Sequence, residues 1–545
     1  MKTLFLLFFC FLSVYTIAQP LSTAWIAPIP GSLYEQNNSM AQAPCGDVYT
    51  VGFFQGTFGS LTSVGSEDGF IAKYNDQGQL QWIKQLAGTS SDRVNGIVIA
   101  NDNEIYIVGE FRDKFYYNND SLVSQNQLDV LIAKLDSSGT IQWASSANGW
   151  GYESGNDIAL MPNGNLVITG YYENNLDFGG SSLLANGLRD IFIATIDPQG
   201  NPQWLKTLSG PAFEEGKSIA TDSSNNIYIA GSFRDFLYPN GNTVAGEGSY
   251  DVYLAKYDQT GQLLWIKTMG GPAADEGTYV KVDHHQNVVV TGWYDRYIQV
   301  DTVLLSGSKE EDGFAAKFAP NGDFLWVIPL AGTFDERTYG VDFDADDNLY
   351  IMGTLDSLLI LGGDSLNNRH LNRPTDIFIA KYDEAGNYKW AQTLGHYYND
   401  FCYDLLVKDA TTIYLAGSFQ DTSIFITDTL ISQNDYDVFL AKFDIDTTVA
   451  IPKIPANVTN DIQQLLLYPN PSHQQSTLYY TLTQTTDVNI LIYDLLGSVH
   501  QTILLKNQPI GPHQLKLNRP SREAGVYFVQ IKTNRSSKVI ELLVD

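Results

Sequence analysis

The sequence predicts an all-β chain, in which a seven-bladed β-propeller closed by its N-terminal strand is followed by a small Ig-like β-sandwich. One observation is a strand-opening aspartate that recurs at steps of 61 residues, with a single step of 64. The series is Asp68, Asp129, Asp190, Asp251, Asp312, Asp376 and Asp437. Each repeat has room for four short strands separated by turn residues. The first and last repeats are complementary halves, which is what closing a ring of blades requires.

A tryptophan series shows this split between the two ends of the repeat region. It follows the first six aspartates by 14 residues and comprises Trp82, Trp143, Trp204, Trp265, Trp326 and Trp390. The seventh repeat lacks the tryptophan, whereas Trp25 precedes Gly52 by the same 27 residues that separate Trp82 from Gly109. We therefore expect residues 23–28 to pair with residues 437–443, and the indole rings to pack between blades. An open solenoid is the alternative, but it would need capping repeats.

Composition and charge limit the possible partners. The 545 residues include 61 acidic and 32 basic ones, for a net charge of −29. Such a chain repels nucleic acid and anionic membrane surfaces. After the N-terminal run, no stretch approaches the ~18 apolar residues needed to span a bilayer. We expect a monomer with no transmembrane segment and no nucleic-acid partner.

The chain divides into four predicted segments. Residues 1–18 have the basic start, apolar run and small residues of a secretory signal peptide. Residues 19–446 hold the repeats, residues 447–463 are a polar linker with two prolines, and residues 464–545 lack the repeat and contain about seven short alternating strands. Only Cys45 and Cys402 follow the signal segment. The repeat alignment places them at opposite ends of the inner strands, beyond the ~7 Å Cα limit of a disulfide, so we expect two free thiols.

The repeats resemble a known family. "DVYLAKYDQTGQLLW" followed by "GGPAADEGTYVKVDHHQNVVVTGWY" is similar to the SBBP repeats of bacterial β-propellers, over roughly residues 22–446. The resemblance implies an exported propeller and carries no catalytic residues with it.

The C-terminal segment resembles the type A sorting domain of type IX secretion. The similarity lies in "LYPNP", "IYDLLG" and "AGVYFVQI" and in a lysine near the end. The motif positions are Tyr468, Pro469, Asn470, Pro471, Gly497, Gly525 and Lys538. The resemblance implies contact with the type IX machinery, passage across the outer membrane of a Gram-negative bacterium, and anchoring at the cell surface or release after the sorting domain is removed. An ordinary Ig-like adhesion module is the alternative.

Length variation indicates which end of the ring recognises ligands. We label the four strands of a repeat A to D from the channel outward. The distance from the strand-B glycine to the next aspartate is 16 residues in the first repeat, 23 in the sixth and 20 in the others, so only the B–C segment varies. It emerges at the same end as the D–A loops. Variable loops on a rigid scaffold are typical recognition sites.

An acidic residue precedes every strand-B glycine by 17 residues. The series is Glu35, Asp92, Glu153, Glu214, Asp275, Glu336 and Asp400. We expect these carboxylates near the channel mouth, where like charges must accept backbone N–H bonds, bind cations or shift their pKa. Two interpretations stay open: capping of loop N–H groups in every blade, and a calcium site.

Residues that break the repeat are the candidate ligand contacts. They are Trp150 with Tyr152, Trp293 with Tyr294, and a cationic cluster of Arg369, His370 and Arg373 with His396 beside Tyr397. Exposed aromatic rings could stack on sugars, and the cations could hold a carboxylate or sulfate. Packing of the tryptophans within their own loops is the alternative.

The function indicated is a non-catalytic surface module that binds glycan or protein through its variable face. The alternative is a secreted glycosidase or lyase that uses a carboxylate pair or a histidine with an acid. The chain shows no Ser/His/Asp grouping, phosphate loop or Cys/His metal spacing, and no catalytic residue is assigned. A structural role without a small ligand is a third hypothesis.

Overall fold

Seven four-stranded antiparallel sheets form the first of two compact units in this computed structural model. The units are Met1–Thr447 and Thr448–Asp545. The structure describes residues 21–100, 103–356, 358–361, 364–368, 374–446, 462–468, 475–494, 499–519, 525–533 and 537–544. The predicted signal peptide lies outside these residues, as does the predicted linker apart from its last two positions. The described chain is all-β, with one short 3-10 turn at Pro239–Gly241.

The strands of the first three sheets follow the repeat. Strand β1 is Leu21–Ile29. Sheet 1 holds β2 (Glu35–Gln42), β3 (Val48–Phe54), the short β4 (Thr57–Phe58) and β5 (Leu61–Thr62), then β6 (Asp68–Tyr74) and β7 (Leu80–Leu86). Sheet 2 holds β8 (Asp92–Ile99), β9 (Ile105–Tyr117), β10 (Asp120–Leu135) and β11 (Ile141–Ala147). Sheet 3 holds β12 (Ser154–Leu160), β13 (Leu166–Tyr172), the short β14 (Asn175–Phe178) and β15 (Ser181–Leu184), then β16 (Asp190–Ile196) and β17 (Pro202–Leu208).

The remaining sheets of this unit have the same order. Sheet 4 holds β18 (Glu215–Thr221), β19 (Ile227–Phe233), the short β20 (Phe236–Leu237) and β21 (Val244–Ala245), then β22 (Asp251–Tyr257) and β23 (Leu263–Met269). Sheet 5 holds β24 (Asp275–Val282), β25 (Val288–Val300), β26 (Val303–Phe318) and β27 (Phe324–Leu330). Sheet 6 holds β28 (Glu336–Phe343), β29 (Leu349–Leu355), the short β30 (Leu358–Leu361) and β31 (Asp364–Asn367), then β32 (Asp376–Tyr382) and β33 (Tyr388–Leu394). Sheet 7 holds β34 (Asp400–Asp409), β35 (Thr412–Phe425) and β36 (Asp428–Ile445).

The sheets follow one another in a circle. The inner strand of each sheet contacts the inner strand of the next, and contacts between β34 and β2 complete the circuit. Strands in the middle of a sheet are buried on both faces, as β3 and β16 are along their whole length, because each sheet lies between two others.

Strand β1 supplies the fourth strand of sheet 7. It runs antiparallel to β36, with Thr23 opposite Phe443 and Pro28 opposite Phe439. The predicted pairing of residues 23–28 with the last repeat is confirmed. The N-terminal strand covers the edge that β36 would otherwise leave open.

The tryptophans join neighbouring sheets, as predicted. Five of the indole Nε1 atoms donate to a carbonyl oxygen in the C–D turn of the following sheet, at Trp25–Asp76 3.0 Å, Trp143–Pro198 3.2 Å, Trp204–Gln259 3.1 Å, Trp265–Pro320 3.1 Å and Trp326–Glu384 3.2 Å. The ring covers a turn glycine, and a Cβ atom on Gly261 would lie 3.1 Å from the Trp204 ring. That glycine has a φ of +78°, which other residues rarely adopt. The rings are half-buried, since this contact lies at the outer rim.

The variable B–C segments are β-ribbons instead of irregular loops. They are either separate hairpins, as β14 with β15, or continuations of the central strands, as in β25 with β26. Each ribbon is anchored by at least one fully buried apolar side chain: Phe58, Phe115, Leu176, Leu237, Ile298, Leu359 and Phe425. We call the end with these ribbons and the D–A loops the ribbon face, and the end with the A–B and C–D turns the turn face.

The second unit consists of seven strands in two sheets. They are β37 (Ile462–Tyr468), β38 (Gln475–Leu482), β39 (Thr486–Asp494), β40 (Val499–Gln508), β41 (Gly511–Asn518), β42 (Gly525–Lys532) and β43 (Ser537–Val544). One sheet has the order β37-β38-β41 and the other β40-β39-β42-β43. Alternating residues of both sheets, such as Leu478, Leu517, Ile490 and Val529, share one core.

Candidate binding site in the central channel

A β-bulge in every inner strand shapes the channel of the first unit. The register shifts once near the middle of β2, β8, β12, β18, β24, β28 and β34. A bulge leaves one residue unpaired and redirects its side chain. The bulged residues are Asn38, Asn95, Asn156, Lys217, Thr278, Tyr339 and Tyr403, and all seven line one cavity of about 330 Å³. Sheets that share a backbone pattern therefore present different chemistry at one place.

Three asparagines tie the first sheets together. Each Nδ2 donates to a backbone carbonyl of the next inner strand, at Asn38–Val94 2.9 Å, Asn95–Gly155 3.0 Å and Asn156–Gly216 2.9 Å. These amides close the channel wall between sheets 1 and 4. Sheets 4 to 7 carry Lys217, Thr278, Tyr339 and Tyr403 at this position, so the channel is asymmetric.

One side of the cavity is charged. Lys217 Nζ lies 2.7 Å from Glu276 Oε1, and Asn156 Nδ2 donates to Glu215 Oε1 at 3.0 Å. Burial alone would lower the pKa of Lys217, but the carboxylates of Glu215 and Glu276 raise it above its usual value. Arg189 Nη1 also lies 3.8 Å from Glu215 Oε2, but Asp157 and Asp404 line the same cavity, so its acidic groups outnumber its cations.

The opposite side is aromatic. Tyr339 lies 6.5 Å from Tyr403, whose ring is stacked with Phe401 at 6.2 Å between centroids. Phe401 is followed by Tyr436 at 6.1 Å, and Tyr436 by Tyr34 at 5.8 Å. The rings form a continuous strip along sheets 6, 7 and 1. All five are half-buried, because one face of the strip borders the cavity or its mouth.

Three arginines surround the mouth of the channel on the ribbon face. Each guanidinium lies over an aromatic ring: Arg93 4.5 Å from Phe53, Arg189 3.7 Å from Tyr171 and Arg337 5.3 Å from Trp293. Each also pairs with a glutamate, Arg93 with Glu67, Arg189 with Glu173 and Arg337 with Glu311. These arginines were not predicted from the sequence, although Arg93 and Arg337 directly follow members of the repeated acid series.

Buried acids also line the turn-face end of the channel. Asp157 Oδ2 accepts the N–H of Ile219 at 2.9 Å, and Asp404 Oδ2 accepts that of Met40 at 2.7 Å. Burial raises the pKa of Asp157 to about 6 and that of Asp404 to about 7. Lys281 Nζ lies 3.2 Å from Asp342 Oδ1 at the same end.

The seven repeated acids do not form a ring at the channel mouth. Every one of them, from Glu35 to Asp400, is 0% exposed. Six of them accept a loop N–H, for example Glu153 Oε1 from Gly151 at 3.1 Å. Six face a strand-opening aspartate of the preceding sheet, as Glu153 faces Asp129 and Glu214 faces Asp190. The acids therefore lie in separate buried pairs between sheets.

Two negative charges in one of these buried pairs are unfavourable. Burial, with repulsion from the partner aspartate, raises the pKa of Glu153, Glu214 and Glu336 to about 9. It raises the pKa of Asp92 and Asp275 to about 8. Apart from the partner aspartate, the groups that face these carboxyls are backbone N–H donors, which stabilise a carboxylate and offer no ligand to calcium. We propose that the pairs share a proton and cap the loops, in preference to binding calcium.

The predicted ligand contacts have different surroundings. Trp150 is 64% exposed and Tyr152 42%, so these rings do not pack within their own loop. Trp293 is half-buried under Arg337, whereas Tyr294 is fully buried beside Phe314 and cannot reach a ligand. These side chains do not gather at one point: Trp293 borders the channel mouth, and Trp150 lies in the loop between sheets 2 and 3.

The predicted cationic cluster is described only in part. Arg369, His370 and Arg373 lie outside the described residues. The His396 ring stacks on that of Tyr397 at 4.0 Å, and the backbone N–H of His396 donates to Asp400 Oδ2 at 3.3 Å. Of the sorting motif, Pro469, Asn470, Pro471 and Gly497 lie outside the described residues. Tyr468 ends β37, Gly525 begins β42, and Lys538 pairs with Ile531.

Large exposed apolar side chains cluster on the ribbon face. Those of the D–A loops and ribbons are Leu33, Val64, Tyr116, Val123, Trp150, Tyr152, Leu184, Leu188, Phe236, Tyr297, Leu304, Ile360, Tyr397, Tyr398 and Ile431. On the turn-face side of the described ring, Leu80, Leu264 and Leu325 are the exposed large apolar residues. Exposed apolar surface concentrated at one end is typical of an interaction face.

Cys45 and Cys402 are both free, as predicted. Cys45 is exposed in the turn between β2 and β3, and Cys402 is buried within β34. Burial raises the pKa of the Cys402 thiol well above its usual range, so this thiol is unreactive.

Comparisons with known proteins identify the C-terminal unit. Residues 466–545 match the model of the secretion system C-terminal sorting domain. An uncharacterized WD repeat-containing protein, L264, of Acanthamoeba polyphaga mimivirus is 21% identical over 490 residues, covering 74% of this chain and 35% of its own length. The chain thus spans about a third of that relative.

Two solved structures are also similar to the chain. A puromycin hydrolase is 10% identical with a TM-score of 0.42, over 83% of this chain and 59% of its own. PorZ, a surface component of the type IX secretion system of Porphyromonas gingivalis, is 11% identical with a TM-score of 0.18, over 95% of this chain and 100% of its own.

The sorting domain determines the destination of the protein. Such domains mark proteins that the type IX system exports and attaches to the cell surface. Among the described residues, none forms an apolar helix of membrane-spanning length. The protein is therefore a secreted cell-surface protein whose C-terminal unit interacts with the type IX secretion machinery.

Proposed function

We propose that the first unit, residues 19–446, is a closed seven-bladed β-propeller of the SBBP repeat type. The seven sheets in circular order and the pairing of β1 with β36 support this architecture. A signal peptide at 1–18, a linker at 447–463 and an Ig-like sorting domain at 464–545 complete the proposed organisation. Two sheets around one core support the Ig-like assignment.

We further propose that this propeller is a non-catalytic module that binds a glycan at the mouth of its channel, on the ribbon face. The aromatic strip opposite a charged wall carries the proposal. Sugar rings present C–H faces that stack on aromatic side chains and hydroxyl groups that hydrogen-bond to carboxylates and amides. Tyr403 and Phe401 offer the first kind of contact, and Glu276 with Asn95 the second. Because the site is acidic, a neutral or amino-bearing glycan fits better than an acidic one.

The glutamates of the charged wall are already paired with other side chains, which supports a binding site over a catalytic one. Glu276 is held by Lys217 at 2.7 Å, and Glu215 by Asn156 at 3.0 Å. A general acid needs a carboxyl free to exchange its proton with the substrate. The alternative, a glycosidase or lyase that uses Glu215 and Glu276, predicts product release from a polysaccharide.

A protein ligand is the second candidate. Aliphatic residues of the ribbons, such as Leu184 at 79% and Ile431 at 71% exposure, favour it, because sugars rarely need such contacts. It would cover the ribbons instead of entering the channel.

The experiment is a glycan array with the purified chain, with and without calcium. Wild-type protein and the variants Tyr403→Ala and Ile431→Ser are compared. Loss of the signal in Tyr403→Ala alone supports the channel site, and loss in Ile431→Ser alone supports the ribbons. Absence of any glycan signal from correctly folded wild-type protein contradicts the glycan proposal. Chromatography of the same glycans after incubation tests for cleavage.

A further inference from the structure

The seam between sheets 5 and 6 carries a cluster of metal-binding side chains on the turn face. His284 and His285 belong to the turn between β24 and β25, and Asp347 to the turn between β28 and β29. His284 Nδ1 lies 2.7 Å from Asp347 Oδ1, and His285 Nδ1 lies 2.6 Å from Asp347 Oδ2. His285 Nδ1 is also 3.3 Å from Glu384 Oε1. Asp283, His285 and Asp347 each offer a ligand atom within 4.8 Å of the other two, and His284 and Glu384 lie beside this group.

The contact between neighbouring A–B turns recurs at several seams, and in the described part of the chain the histidines and carboxylates are specific to the seam between sheets 5 and 6. A turn N–H donates to a side-chain oxygen of the next sheet at several seams: Asn163 to Asn225 at 2.9 Å, Ser223 to Gln286 at 2.8 Å and His284 to Asp347 at 2.9 Å. Among the described residues, the seam between sheets 5 and 6 is the one that combines imidazoles and carboxylates at these positions. The packing of the turns does not require those residue types.

The surrounding contacts hold the groups in place. Asp347 is nearly buried, at 3% side-chain exposure, and its backbone has a φ of +55° within a hydrogen-bonded turn. The backbone of Glu384 is fixed because its carbonyl accepts the Trp326 Nε1 hydrogen bond at 3.2 Å. The histidines are 64% exposed, so the cluster is open to solvent. Asp283 is buried and is the third member of the group, and its Oδ2 also pairs with Lys317 Nζ at 2.8 Å.

We infer that His285, Asp347 and Asp283 bind a divalent transition-metal ion such as Zn²⁺, with His284 and Glu384 beside them. Imidazole nitrogen and carboxylate oxygen are ligands that zinc prefers, and imidazole disfavours calcium and magnesium. Ligand atoms about 2.0–2.1 Å from a tetrahedral zinc ion lie about 3.3 Å apart. The three ligand atoms lie within 4.8 Å of one another, and His285 Nδ1, now 2.6 Å from Asp347 Oδ2, needs only a small outward shift of its exposed ring.

The competing explanation is a pair of protonated histidines held by Asp347, without a metal. The two differ in their response to zinc. Zinc binds unprotonated imidazole, so the affinity of the site for zinc falls as the pH is lowered. An ion-pair cluster would leave zinc in solution at every pH.

The test is isothermal titration of the full chain with ZnCl₂ at pH 7.5, after removal of metals with a chelator. One variant changes His284→Ser and His285→Ser, and a second changes Asp347→Asn. The new residues are those of the equivalent positions in sheet 4, Ser223, Ser224 and Asn225, so the turns are expected to keep their fold. His396→Ala, on the ribbon face, is the control.

We expect the wild type to bind one zinc ion per chain. The double histidine variant should bind none, and Asp347→Asn should bind zinc at least tenfold more weakly. His396→Ala should bind zinc as the wild type does. A wild type that binds no zinc contradicts the inference. So does a zinc equivalent that survives unchanged in the double histidine variant, since it would belong to other residues. Melting temperatures without zinc identify any variant that fails to fold.

Discussion

At the scale of the residue, the buried acid pairs are the most unusual feature of the first unit. Spacing alone located all seven acids, because a repeat motif keeps its place in every blade. Their burial could not be predicted from the sequence, because it depends on an aspartate of the preceding sheet and on loop N–H groups that the fold brings together. Glu214, which lies against Asp190, illustrates both points.

These pairs predict a loss of stability at alkaline pH. The pKa of Glu214 is about 9 in the folded chain and ordinarily about 4.3, so the folded state holds the proton over this whole interval. The unfolded state binds fewer protons there, and the free energy of unfolding falls as the pH rises from about 4 to about 9. We expect the melting temperature to fall by about 10 °C between pH 6 and pH 9.5 as several pairs ionise.

The variant Glu214→Gln should weaken this dependence. Glutamine keeps a donor for Asp190 and cannot ionise, so we expect little change at pH 6 and a higher melting temperature than wild type at pH 9.5. The exposed change Glu384→Gln, which leaves no buried acid altered, is the control. A wild-type melting temperature that rises toward pH 9.5 would contradict the shared proton.

At the scale of the element, closure by β1 followed from complementary half-repeats and is confirmed in register. We expect deletion of Leu21–Ile29 to lower the melting temperature of the repeat unit by more than 10 °C, because it exposes the edge of β36 and removes the Trp25 contact with sheet 1. Differential scanning calorimetry measures this, with the full chain as reference. An unchanged transition would mean that sheet 7 is stable with three strands.

The tryptophan contacts give a second prediction at this scale. Trp204→Ala removes a half-buried ring and its bond to the Gln259 carbonyl, which we expect to cost about 2 kcal/mol of unfolding free energy. Trp150→Ala removes an exposed ring and should cost less than about 0.5 kcal/mol. Urea denaturation followed by fluorescence compares the two. Equal effects would show that the indole rings do not join the sheets.

The strand pairing within the ribbons could not be predicted from the sequence. Their length variation was visible, but their pairing depends on buried anchors such as Phe115, whose burial cannot be inferred from so short a segment. Alternation of apolar and polar residues is too short there to predict a strand.

At the scale of the whole molecule, seven equivalent sheets produce a channel with unequal walls. The repeat period predicted seven repeated units in circular order. Residues that break the repeat were expected in the loops, whereas the structure also places such residues at the bulged position of each inner strand, where Lys217 and Tyr403 lie in one cavity. A register shift of one residue determines which side chain enters the channel, and the amino-acid composition of the strand does not reveal where that shift occurs.

The last prediction concerns which end of the ring binds ligands. Exposed apolar residues, the aromatic strip and the arginines all converge on the ribbon face, so we expect Trp150→Ala and Tyr403→Ala to weaken ligand binding at least tenfold, about 1.4 kcal/mol, without lowering the melting temperature by more than a few degrees. The matched changes Leu264→Ala and Leu325→Ala remove exposed apolar side chains near the turn face and should leave binding intact. Binding is measured by surface plasmon resonance with the glycan or protein that the array or a direct pull-down identifies. Equal loss in both pairs, or loss only in the second, would assign recognition to the turn face and overturn the proposed channel-mouth site.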